Sequence, residues 1–274
     1  MAISNFLASK WAAGVELIAQ EKSIITAVTL GQWQADAAGA SAVKINSVSD
    51  ITIGTYTPGS DITIQALGDA QKTLSLNQKK YFAFYVDDVD AMQSQADFRN
   101  PAILQSSGKL ALEADTYAFG LHATAGLEIN DGGGTPAALA VTSANVEEVI
   151  LTAKELLDGQ NAPEDRVLVI PSWMNTKLAL AGMTKYIVPG SIYTEGYVGR
   201  YAGFDIYISN SLASGHPLAF SKRAIAFASQ VNSVEAGRAE KQFADYVKGL
   251  YVFGAVVNWP NEMVDIWVSK GAEA

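Results

Sequence analysis

Residues able to do chemistry are few and scattered in this 274-residue chain. It carries two histidines, His122 and His216, and no cysteine. The lack of cysteine removes disulfides, thiolate zinc sites, iron–sulfur clusters and cysteine nucleophiles. The histidines lie far apart in sequence, and neither has a second ligand-type residue at metal-binding spacing. Each therefore reads as a packed or surface side chain rather than a ligand or base. Asp87, Asp88 and Asp90 gather carboxylates that could hold a divalent cation, yet the glycine turn and closing glutamate of a calcium loop are missing. Acidic residues at that point suit a helix N-terminus instead. Gly132, Gly133 and Gly134 are not followed by Lys-Ser or Lys-Thr, so they do not make a phosphate loop. Neither a Gly-x-Ser-x-Gly elbow nor a dinucleotide fingerprint is present. Tyr193, Tyr197 and Tyr201 could line a ligand site, and aromatic residues among small neighbours equally suit subunit contacts. The expectation is a chain that is not an enzyme, with no catalytic residue, cofactor or metal.

Composition narrows the field further. Hydrophobic residues make up 49% and charged residues 17%, with 19 Lys+Arg against 28 Asp+Glu and a net charge of -9. About 25% charged is ordinary for a soluble domain. High hydrophobicity with low charge argues against disorder. The acidic balance argues against tight nucleic-acid binding, which depends on Lys and Arg neutralising phosphates. No run approaches the roughly 20 apolar residues that span a bilayer. The amino terminus lacks the pattern of a signal peptide, and synthesis in the cytoplasm is the simplest expectation. Low charge without a membrane segment is explained if much of the surface is buried against copies of the same chain, because interface centres are depleted of charge.

The elements that would position these residues follow from periodicity. Phe6, Leu7, Trp11, Val15 and Ile18 predict a short amphipathic helix over 4–20. Residues 31–39, small and polar apart from Trp33, read as an extended arm that needs a partner to be ordered. Val43, Ile45, Ile51, Ile53, Ile62 and Ile64 alternate, and Thr57-Pro58-Gly59-Ser60 suits a tight reversal, which together predict a β-hairpin. Its other face is polar, so it serves either as a surface hairpin on a larger sheet or as one that lies on a neighbouring subunit. The aromatic run 81–86 predicts a strand buried on both sides. A long helix follows to about Ala123, interrupted or bent at Pro101. Asn145 with Glu148 predicts a capping box for a helix ending at Gly159. A buried strand at 166–170, a helix opened by Pro171, a loop over 182–203 and an alternating strand from Phe204 complete a compact α+β unit. Strands are expected over 219–230, 243–257 and 263–268.

The order of these elements and several local stretches carry a resemblance. YFAFYVDDVDAMQS at 81–94, RVLVIPSWM at 166–174, GRYAGFDIYISNSL at 199–212, AIAFASQVNSVEAGR and DYVKGLYVFGAVV are similar to tailed-phage major capsid proteins of the HK97 fold, in the branch that contains the P22-like coat proteins. The resemblance covers nearly the whole chain. It implies an α+β, HK97-like fold with an N-arm at 1–40, an extended E-loop at 41–80, a P-domain at 81–135 and 217–274 that includes the spine helix, and an A-domain at 136–216. The implied function is self-assembly through hexamers and pentamers into an icosahedral shell around double-stranded DNA, which would be held without sequence-specific binding. The implied location is the virion, after synthesis in the bacterial host cytoplasm. Partners would be further copies of the chain, a separate scaffolding protein, a portal and a decoration protein. Trp11, Trp33, Tyr56, Pro58, Gly59, Tyr193, Tyr197 and Arg200 would make subunit contacts. Lys–Asn cross-linking does not transfer, because Lys72 has no matched partner. Two alternatives remain at this point: an encapsulin-like compartment of the same fold, and a hydrolase using Tyr193, Glu195 or Asp205.

Overall fold

The computed structural model describes residues 22–48, 51–56, 58–59, 61, 64–66, 68–87, 99–133, 135–182, 196–238 and 243–273. Among them, a single helical turn, α1 (Ile25–Val28), is followed by β1 (Ala42–Val48), β2 (Asp69–Ser75), β3 (Gln78–Asp87) and the long helix α2 (Arg99–Phe119). Next come β4 (Leu127–Ile129), β5 (Leu139–Val141), α3 (Val146–Gly159), β6 (Arg166–Ile170) and α4 (Ser172–Leu180). The chain closes with β7 (Tyr197–Tyr201), β8 (Phe204–Ile208), β9 (Leu218–Ser221), β10 (Ile225–Arg238), β11 (Ala244–Val257), β12 (Met263–Ile266) and β13 (Val268–Lys270).

Two sheets organise these elements. A mixed six-stranded sheet runs β4-β12-β9-β6-β8-β7, and an antiparallel three-stranded sheet runs β10-β11-β3. Strand β6 has every residue buried, because α3 covers one of its faces and α2 the other. Leu168 and Ile170 meet Val149, Ile150, Ala153 and Leu157 of α3. Val167 and Val169 join Ala114, Ala118 and Phe119 of α2, with Phe220, Phe227 and Phe253. Alternation along β10 does the same at the second sheet. Phe227 faces that second cluster, whereas Ala226 and Ala228 face Val43, Ile45, Leu74 and Val252 under the base of the β1–β2 hairpin. Small side chains at 226 and 228 let the hairpin lie close to the sheet.

Besides the route from β3 through α2 to β4, two short links join these sheets, at 222–224 and at 258–262, and the two are tied together. Ala224 O accepts from Asn258 N at 2.7 Å. Glu262, buried in the second passage, accepts from Arg223 Nε at 2.8 Å and Ser221 Oγ at 2.5 Å. Burial pushes the Glu262 carboxyl upward, but the bonds from Arg223 and Ser221 outweigh it and hold the group below the ordinary carboxylate range. Asp115 on α2 fixes the amino-terminal segment in a comparable way. It is fully buried and accepts from Ser23 Oγ, Ile24 N and Ile25 N at 2.5, 2.8 and 3.3 Å, which satisfies backbone donors at the start of α1.

Several sequence expectations are corrected here. The paired strands are β1 and β2, Ala42 opposite Ser75 and Val48 opposite Asp69, whereas Ile51 and Ile53, expected to pair across Thr57–Ser60 with the run at Ile62 and Ile64, are not in a strand, and Ile62 lies outside the described residues. Described residues between 51 and 68 lie outside regular strands. A period-two pattern fixes register only where one face has a core to bury, and among the described residues that core lies at the hairpin's base. Residues 31–39 are folded rather than extended: Gly31–Trp33 is a 3-10 turn, Ala37 is buried, and Gln34 bonds to the backbone of Ser229 on the free edge of β10. Strand β3 is an edge strand, with Tyr81 76% and Tyr85 66% exposed, so it is not buried on both sides. Asp87 ends that strand, while Asp88, Asp90 and the expected helix start lie outside the described residues, as does the 4–20 helix. Helix α2 contains Pro101 within its first described turn. The capping box does not form, because Asn145 turns back to accept from Thr142 N and donate to Ala140 O. Residues 197–203 form the β7–β8 hairpin instead of loop, and the 219–230 segment is two strands separated by the first passage.

Two predictions follow from this packing. A Cβ on Gly254 of β11 would lie 2.1 Å from the Ser75 carbonyl oxygen at the hairpin base. Gly254→Ala should therefore cost about 1–3 kcal/mol in denaturant unfolding, with Gly54→Ala, which meets nothing within 4 Å, close to neutral. Because Glu262 titrates lower in the folded chain, its contribution is complete above the unfolded value of about 4.3 and fades as pH falls through the folded value. The stability gap between wild type and Glu262→Gln should narrow below about pH 4.3, and a gap that stays constant with pH would contradict the assignment.

Candidate functional site

The surfaces that stand out are exposed and apolar. In the segment between β1 and β2, Ile51, Ile53, Tyr56 and Ile64 are 60%, 93%, 67% and 91% exposed. Pro58 and Gly59 lie in a turn of this segment, where Gly59 adopts φ +89°, a conformation open to glycine without strain. This part of the chain carries large apolar side chains away from all three core clusters, and an isolated protein gains nothing from showing them to water. The second surface is the outer face of β3, which carries Tyr81 and Tyr85, while Phe82 and Phe84 point to the other face, their rings stacked with centroids 6.1 Å apart. Phe243, 81% exposed, lies just before β11, the strand paired with β3. Between β3, β11 and α2 runs an apolar cavity of about 200 Å³ lined by Phe82, Leu110, Ala111, Leu250 and Tyr251.

The other residues expected at contacts are dispersed. Trp33 packs within its own chain, against the cluster beneath the hairpin. Tyr197 and Arg200 share β7 at the edge of the six-stranded sheet. Tyr197 packs on Tyr207 at 5.2 Å, and burial together with the charge of Asp205 raises its phenol above the ordinary value, with Arg200 opposing. Arg200 is half exposed and 4.0 Å from Asp205. Trp11, Tyr193 and Glu195 lie outside the described residues. Tyr81, Tyr85 and Phe243 were missed as surface residues, since an aromatic run looks the same in sequence whether one face or both are covered.

The histidines do not remain separate as their spacing suggested. His122, in the 3-10 turn Gly120–Thr124 after α2, and His216, just before β9, stack with ring centroids 4.0 Å apart. Each Nδ1 lies 3.0 Å from Oδ2 of Asp265 on β12. Three segments distant in sequence meet there, and spacing along the chain carries no sign of it.

No family model matches the chain, and none of the curated proteins does. Solved structures match over almost the full length. A chain of Mycobacterium phage Che8 superposes with a TM-score of 0.79 at 21% identity, covering 97% of this chain and 98% of that one. The capsid structure of cyanophage P-SCSP1u gives 0.77 at 18% identity, covering 99% and 95%. The capsid of Ralstonia phage GP4 gives 0.70 at 11% identity, covering 99% and 98%. The fold is that of the HK97-like phage capsids. The likeness runs from the β1–β2 hairpin through α2 to the closing strands, over nearly the whole of each chain.

If Tyr81 and Tyr85 belong to a surface completed by another molecule, they add little to the isolated subunit. Changing either to Thr, which keeps β-propensity, should alter unfolding free energy by less than about 0.5 kcal/mol. A loss of several kcal/mol in denaturant titration would place them in the core.

Proposed function

We propose that this protein is the major capsid protein of a tailed phage, which assembles through hexamers and pentamers into an icosahedral shell enclosing double-stranded DNA. The observation that carries the proposal is the full-length likeness to capsid chains. Exposed apolar residues on the hairpin and on β3 give it a physical basis, because a subunit destined for burial by its neighbours keeps contact residues that a monomer would replace. In this reading residues 1–40 are the N-arm, 41–80 the E-loop, 81–135 and 217–274 the P-domain and 136–216 the A-domain. The tip at Pro58 and Gly59, with Tyr56, lies over an adjacent subunit. Trp11, Trp33, Tyr193, Tyr197 and Arg200 serve other contacts. A closed shell needs different, mutually complementary patches on each subunit, and the separation of the hairpin, β3 and β7 surfaces is consistent with that.

A separate scaffolding protein and a portal act with it, with a decoration protein as a further partner. DNA is contained rather than gripped, in keeping with the net charge of -9. The protein is made in the bacterial host cytoplasm and resides in the virion. The likeness to phage capsids lends no support to a cargo compartment or a hydrolase. Sedimentation of the purified chain, alone and with its phage's scaffolding protein, should show capsomers or larger particles. Removing the hairpin tip, or changing Ile53 and Ile64 together to Ser, should abolish them while leaving a folded subunit. A wild-type chain that stays monomeric under both conditions would overturn the proposal.

A further inference from the structure

The cluster at His122, His216 and Asp265 is the feature that the shell-building role leaves unused. Asp265 belongs to β12, whose backbone pairs with β4 on one side and β9 on the other, so its carboxylate is held in place by the sheet. The backbone flanking His216 is bonded to the strands it faces: Ile266 N donates to Pro217 O at 3.0 Å and Val268 N to Gly215 O at 2.8 Å. His122 is fixed at the end of the spine helix, where its carbonyl accepts from Ala125 N at 2.9 Å. All three ligand-type atoms therefore come from ordered backbone, and they lie within 4.8 Å of one another.

The spacing has chemical meaning. A metal ion with bonds of about 2.0–2.1 Å places neighbouring ligand atoms about 2.9–3.4 Å apart at right-angle to tetrahedral bond angles, and each histidine Nδ1 is 3.0 Å from Asp265 Oδ2. Two imidazoles and one carboxylate are a ligand set suited to zinc and its transition-metal neighbours and poorly suited to magnesium or calcium. The side chains of His122, His216 and Asp265 keep 20%, 19% and 11% of their surface exposed, which leaves an open side for entry and for a water as fourth ligand. The rings are 28° from parallel, so one of them must turn about χ2 for both nitrogens to aim at one ion. Each ring's proton then sits on Nε2.

We propose that His122, His216 and Asp265 bind a divalent transition-metal ion of the zinc class, which clasps the end of the spine helix to the six-stranded sheet. The site is independent of whether the chain builds shells, since its three ligands come from one subunit. Calorimetric titration of the full chain, stripped with a chelator, should show one saturable Zn²⁺ site per subunit and none for Mg²⁺. At zinc a hundredfold above the dissociation constant, the thermal midpoint should rise by roughly 5–10 °C. His122→Gln and His216→Gln, measured singly, should each weaken binding about a hundredfold or more and remove the zinc-dependent rise, while circular dichroism confirms that both variants fold. Absence of saturable uptake by the wild-type chain would overturn the proposal, as would zinc binding undiminished in either folded variant.

Discussion

Everything in this fold hangs on the two passages between its sheets being held side by side. The turn 222–224 leads from the six-stranded sheet into β10, and the turn 258–262 returns from β11 to β12. Were they free, the sheets would still share the core around Val169, Phe220, Phe227 and Phe253 but would lose the polar fixing of their connecting turns. Glu262 prevents this by joining Ser221 and Arg223 across the passages, and Arg223 also lies over the Trp259 ring at 5.4 Å. A buried carboxylate costs desolvation, and here the guanidinium and hydroxyl offset that cost while fixing a relative position that apolar contact would leave loose. Lys72 of β2 adds a third tie, its ammonium donating to the carbonyls of Val257 and Asn258, so the hairpin base is anchored at the same joint.

The chain is tied where its sheets meet, and its exposed apolar residues lie away from that joint. The spine helix joins both sheets, because Ala114, Ala118 and Phe119 pack against strands of each. Asp115 between them holds the segment that leads back to the amino terminus. Beyond the anchored hairpin base, apolar side chains continue outward without a core of their own. The low charge of the sequence is in keeping with these exposed apolar surfaces.

Much of this was legible in the sequence where burial is local. The apolar face of α3, from Val146 to Leu157, and the unbroken run of β6 predicted their elements because each is covered entirely within the chain. The hairpin was legible in kind but not in pairing, because alternation at Ile62 and Ile64 matches alternation at Leu74 and only the tertiary core under Leu74 decides between them. The run at 81–86 misled for the opposite reason: its pattern describes a strand covered on both faces, and the chain itself leaves Tyr81 and Tyr85 exposed. Asn145 had the residue type of a cap but found better partners in the preceding loop. The histidine cluster was illegible, since three segments meet there through sheet order alone.

The central claim is that the exposed hairpin and β3 surfaces are unfinished in one subunit and completed by others in a closed shell. Electron cryo-microscopy of particles assembled from the purified chain tests it most directly. The account predicts five- and six-fold capsomers in a closed shell, with residues 51–68 ordered against an adjacent subunit. Isolated subunits, or particles in which those residues and Tyr81 and Tyr85 face only solvent, would contradict it.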